Sequence, residues 1–209
     1  MTKVFIFCLM MFSGVQFCFA QQNNEFRLVK EFYDQQRVNL LNAFKKEAQN
    51  HHDQMQLIAM EKDFSEFMTK MDSIQNVASI GALIKVKNRE ALDKFVQKDI
   101  SEKPKISHKT SSEIPAEYPG GINELRKQLA DLFYFDALMP EISKLSVNIS
   151  FVVEKDGSIT TVQAEGENSV FNRQAEIAMY MLPEKFSPAM LDGEKIRYHF
   201  RVPLTMNFK

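Results

Sequence analysis

The chain has 209 residues, with Lys plus Arg at 26 against Asp plus Glu at 27, so its formal net charge is -1. No global basic field exists to hold nucleic acid or anionic lipid, which argues against dedicated DNA or RNA binding. A hydrophobic content of 44% with 25% charged residues is that of a folded globular protein, and only 7 Gly and 7 Pro speak against a fibrous or disordered chain.

Both cysteines, Cys8 and Cys18, fall in a stretch that opens with Lys3 and then carries no charge from Val4 to Ala20. A basic start, an apolar run and small residues at Cys18 and Ala20 before the polar Gln21 predict a secretory signal over 1–20. The competing reading is a retained membrane anchor, since the run is at the low edge of what spans a bilayer; Gln16 and the small-residue ending disfavour it. If residues 1–20 are cleaved, the remaining chain has no cysteine, hence no disulfide or thiolate chemistry, and no membrane span. Its stability then rests on a core in which each buried large apolar side chain contributes about 1.5 to 3 kcal/mol.

Residues 21–100 read as a helical unit. Phe26, Val29, Phe32/Tyr33, Leu40/Leu41, Phe44 and Ala48, then Met60, Phe64, Phe67/Met68, Met71 and Ile74, recur at steps of three and four. The polar 49–54 segment is either a break between two helices or the wet side of one; periodicity leaves both open. The Ser-, Lys- and Thr-rich segment 101–117, with Pro104 and Pro115, reads as a linker.

After it, 118–209 reads as an α+β domain of two helices on a three-stranded antiparallel sheet. Ile122, Leu125, Leu129 and Leu132/Phe133 step as a helix after Pro119-Gly120-Gly121. Leu145, Val147, Ile149, Phe151 and Val153 alternate as a strand, and Asp156-Gly157 predicts a hairpin turn into a return strand over 159–164. Asn168-Ser169 can cap a helix carrying Phe171, Ala175, Ala178, Met179 and Leu182, which Pro183 ends. Ile196 to Phe208 then alternates at period two as one long half-buried strand. Pro203 cannot donate to a ladder, which places that strand at a sheet edge or bulge.

Catalytic and metal chemistry find no footing. His51-His52 are neighbours about 100° apart on a helix, a poor ligand pair, and they read as a solvated surface pair. No HExxH, GxSxG or SxxK setting is present, so we expect no enzyme, no metal site and no cofactor. A hydrolase or metal enzyme built on the helical unit is the reading from another class. Lys195, Arg197, His199 and Arg201 form a basic stripe suited to an acidic peptide or glycan, though a solvated sheet face is the plainer reading. Pro119-Gly120-Gly121 reads as a turn before it reads as an anion site. Met55, Met60, Met68 and Met71 read as helix-helix core before they read as an adaptable groove.

Five elements in order resemble the TonB C-terminal domain family, in the form common among exported proteins of the Bacteroidetes. They are Pro115-x-x-Tyr118-Pro119-Gly120-Gly121, Phe151-Val152-Val153-x-x-Asp156-Gly157-Ser158-Ile159, Phe171-Asn172-x-x-Ala175, Phe186-x-Pro188 with Gly193, and Phe200-x-Val202-Pro203-Leu204-x-Met206-x-Phe208. The resemblance implies a periplasmic module that captures an extended segment of an envelope protein or receptor peptide by strand addition, with strand exchange in a homodimer as a family trait. We place the partner-binding edge at Ile196, Tyr198, Phe200 and Val202. The alternative is an inner-membrane-anchored energy transducer serving outer-membrane transport. Against that, the apolar segment lacks the histidine that family anchors use, the Pro-rich spacer is replaced by the helical unit, and Phe186 stands where the family usually has Trp.

Overall fold

The structure, a computed structural model, describes residues 24–50, 53–98, 113–134 and 144–207. The apolar segment 1–20, His51, His52, His108 and Phe208 lie outside them. The fold is α+β: an N-terminal helical part followed by a sheet domain, with four helices and two three-stranded antiparallel sheets among the described residues.

The polar segment after residue 48 is a true break. Helix α1 (Asn24–Asn50) and helix α2 (Gln54–Lys98) fold back on each other as an antiparallel hairpin. Asp53 starts the second helix, its carboxylate accepting the Met55 N–H at 3.0 Å. Along the seam Phe44 stacks on Phe64 with ring centroids 4.4 Å apart, Arg37 reaches Asp72 and Gln75, and Glu25 meets Arg89 at 2.7 Å. Met71 is buried and Met60 and Met68 are half-buried in this seam, as a core stripe requires, whereas Met55 near the tip is 80% exposed.

At 1.5 Å per residue, the 45 residues of α2 run about 67 Å, well past the 27 residues of α1. The base of the hairpin packs on the sheet domain, and Phe26, Ala82, Leu83 and Val86 join the same hydrophobic cluster as the sheet. One core therefore serves both parts of the chain.

In the sheet domain, helix α3 (Gly121–Asp131) buries Leu125 and Leu129, and helix α4 (Ser169–Met181) buries Phe171, Ala175, Ala178 and Met179. Asn168 caps α4 by accepting the N–H groups of Val170 and Phe171, both at 2.9 Å. The main sheet has the order β3-β2-β6, with β2 at Lys144–Val153, β3 at Ile159–Gly166 and β6 at Tyr198–Asn207. The second sheet, which periodicity did not predict, joins β1 (Glu113–Ile114), β4 (Ala189–Leu191) and β5 (Glu194–Ile196). Residues 113–117, expected as the end of a linker, thus belong to the fold: Glu113 pairs with Leu191, and Glu117 bridges Ser187. The long strand expected from Ile196 to Phe208 is likewise two strands, handed from one sheet to the other at Arg197.

The imperfect alternation of β3 has a local cause. Ser150 pairs with Gln163 and Val152 with Thr160, so β3 carries one residue more than β2 at that point, and Thr161 takes φ 56°. This bulge resets the faces, so that Ile159 and Val162 both point into the core.

Candidate functional site

Strand β6 presents the features from which a binding edge is built. Its alternation is real: Val202 and Leu204 are buried, Tyr198, Phe200 and Met206 half-buried, and His199, Arg201, Pro203, Thr205 and Asn207 exposed. It pairs with β2 in unbroken register from Lys144↔Asn207 to Val153↔Tyr198, and among the described residues β2 is its sole neighbour within the sheet. A proline tolerated inside such a ladder must turn its missing N–H away from the partner strand. By the two-residue period of an antiparallel ladder, the N–H and C=O groups of His199, Arg201, Thr205 and Asn207 then face the open side with Pro203.

The opposite edge is closed. On β3 the Val162 N–H donates to the Tyr180 hydroxyl at 3.2 Å, and the Ala164 N–H donates to Glu176 Oε1 at 3.1 Å. Both acceptors sit on α4 and both are fixed from α2: the Tyr180 hydroxyl donates to Glu90 at 2.9 Å, and Lys87 pairs with Glu176 at 2.5 Å. Phe26 stacks on the Tyr180 ring at 5.7 Å. Burial, followed by the nearby Glu90 carboxylate, raises the Tyr180 pKa, so the phenol keeps the proton it donates. Side chains occupying edge donors block further strand pairing, a common protection of sheet edges.

Of the four residues expected to meet a partner, the structure separates one from the rest. Val202 is completely buried beneath the sheet, so its side chain is core and only its strand position belongs to the edge. Ile196, Tyr198 and Phe200 remain half-buried where β5 passes into β6. There Phe200 stacks on Phe151 at 5.3 Å and meets Phe186 at 5.7 Å, while Tyr198 meets Phe200 at 6.0 Å.

Of the motif residues Tyr118, Pro119, Gly120, Gly121, Asp156 and Gly157, Tyr118 and Gly157 are buried against Phe186 at this corner, while Pro119, Gly120 and Asp156 are exposed. The Tyr118 ring packs edge-on against Phe186 at 5.0 Å, and its hydroxyl donates to Gln128 at 2.6 Å. Burial, with the Glu184 charge beside it, pushes the Tyr118 hydroxyl up to about 12, and it stays a donor. Gly120 and Gly121 both take positive φ, 79° and 77°, and the Gly121 N–H donates to Tyr118 O, a turn that glycine freedom makes possible. Pro119-Gly120-Gly121 thus acts as the turn that leads into α3.

The Asp156-Gly157 step closes the hairpin in a longer form than a two-residue turn. Gly157 N–H donates to Glu154 O and Glu154 N–H to Ser158 O, with Gly157 alone at positive φ, 83°. Gly157 O in turn accepts the Phe186 N–H at 3.0 Å. Partial burial opposes ionisation of Asp156, but bonds from Lys185 and Ser158 prevail and hold its carboxyl down to about 2.

Of the basic stripe, Arg197 is tied to Glu154 at 2.7 Å, while Lys195, His199 and Arg201 are exposed. Among the described residues no group of three or more His, Cys, Asp and Glu could hold a metal ion, and no helix is long and apolar enough to cross a membrane. Sequence reasoning missed Tyr180, Glu176 and Glu90, which close the β3 edge. The available signal was polar residues on the outer side of an amphipathic helix, which reads as solvent exposure until a second layer is known to cover it.

Comparison of the chain with family models, curated proteins and solved structures found no match.

Proposed function

We propose that this chain is a non-enzymatic, exported binding module that captures an extended peptide segment of an envelope protein by strand addition to β6. The observation that carries the reading is the asymmetry between the two edges of the main sheet. On β3 the Val162 and Ala164 N–H groups are occupied by Tyr180 and Glu176, whereas β6 offers a long strand on which only Pro203 lacks a donor. In such binding, backbone bonds supply affinity, and pockets beneath alternate side chains select sequence. Tyr198 and Phe200, half-buried at one end, would flank the incoming segment with aromatic surface. The resemblance of 118–209 to the TonB C-terminal domain family supports the same mode and a periplasmic location. The hairpin docked on α4 suits a module held close to its own helices better than a transducer reaching across an envelope on a spacer.

Arg201→Pro removes one outward donor without touching the bonds to β2. Immobilised wild-type chain is expected to retain an envelope protein from a periplasmic extract, and a folded Arg201→Pro chain is expected to lose it. Equal recovery by a variant with unchanged melting temperature would count decisively against the β6 edge. Intact mass of the native protein separates the two fates of 1–20: a start at Gln21 removes the anchored alternative.

A further inference from the structure

The hairpin has a third face that neither α1 nor the sheet domain uses. On α2, Phe67 is 49% exposed, Ile74 58%, Val77 65%, Ile84 56%, Leu92 65% and Phe95 70%. At 3.6 residues per turn they fall within an arc of about 100°, turned away from the buried Met71, Ala82 and Val86. Their spacing is that of a heptad seam. Phe67, Ile74, Gly81, Asn88 and Phe95 stand at one core position, and Lys70, Val77, Ile84 and Ala91 at the other. Beside it Leu28 and Phe32 of α1, 53% and 57% exposed, follow one and two turns after Glu25, whose bridge to Lys85 brings this side of α1 to the seam. Gly81 is otherwise unexplained: a Cβ there would meet nothing within 4 Å, yet glycine inside a helix costs about 1 kcal/mol relative to alanine.

We infer that this face is a homodimer interface, in which α2 of two copies pair antiparallel about a two-fold axis passing beside residue 79. In that register the seam residues from Phe67 to Ala91 pair across the axis, and Phe95 stands beyond them opposite Asp63. Val77 of one copy faces Gly81 of the other, Ile74 faces Ile84, Phe67 faces the small Ala91, and the polar Lys70 faces Asn88. A two-fold interface must be self-complementary in this way, and a buried polar pair fixes its register. The eight exposed apolar residues bare roughly 100 Å² each, so the face approaches the roughly 800 Å² per partner of a stable interface. The inference is independent of the peptide-binding edge, which lies on the sheet.

Sedimentation equilibrium of the full chain tests it, with circular dichroism to confirm folding. The wild type is expected as a dimer; Ile74→Glu and Ile84→Lys, both at exposed positions, are each expected to weaken association at least about 100-fold without unfolding the chain. Mixing the two variants places the introduced glutamate against the introduced lysine at one crossing and Ile84 against Ile74 at the other, so the mixture is expected to dimerise again. A monomeric wild type, or variants that dimerise as the wild type does, would overturn the interface. Failure of the mixture to dimerise would overturn the register.

Discussion

Gly157 shows how one residue fixes the corner behind the proposed binding edge. A Cβ at that position would lie 2.1 Å from Phe186 O, and φ 83° strains any L side chain. Gly157→Ala is therefore expected to destabilise the chain by more than about 1 kcal/mol, read by thermal denaturation. Asp156, on the same turn, links stability to pH. Its folded pKa, about 2, lies below the ordinary value of 3.8, so its contribution is complete above pH 4 and is lost as pH falls through 2. Asp156→Ala is expected to be less stable than wild type at pH 6, with the difference shrinking in melts between pH 4 and pH 2. Tyr180→Phe deprives a buried strand N–H of its acceptor and Glu90 of a donor, and is expected to cost about 1 to 3 kcal/mol in denaturant unfolding.

At the scale of elements, strong periodicity was legible. The alternation of β6 and of the first half of β2, and the apolar stripe of α4 with its Asn168 cap, match the structure, whereas of the hairpin stripes Phe26 and Met71 are buried and Ile74 is exposed. The rest was hidden for definite reasons. Strands of two or three residues, such as β1, β4 and β5, are too short to establish a period. The bulge at Thr161 breaks the pattern of β3, and α4 is buried on two sides, so Gln174, Glu176 and Tyr180 are covered while looking like surface. Gly81 lies mid-helix with open space where a side chain would be, so in the isolated chain at high dilution Gly81→Ala is expected to raise stability by about 0.5 to 1 kcal/mol. A melting temperature that fell instead would mean that the backbone at 81 is held by contacts already present within one chain.

Across the whole molecule, the helical part and the sheet domain share one core through Phe26, Ala82, Leu83 and Val86, and Gln174 donates to Asn76 between them at 2.7 Å. Through Glu90 and Lys87 the hairpin positions the side chains that occupy the Val162 and Ala164 donors of β3, and on the proposed reading β6 is the side for pairing. The candidate edge was legible from Pro203 and the length of the alternating run, but the closure of the other edge depends on contacts between residues about ninety positions apart, as in Tyr180 with Glu90. Amide hydrogen exchange tests this division most directly. We predict that Val162 and Ala164 are protected in the free chain, while His199, Arg201, Thr205 and Asn207 exchange rapidly until a peptide partner binds and then become slow. Protection of those four amides in the free chain, or continued rapid exchange with the partner bound, would contradict it.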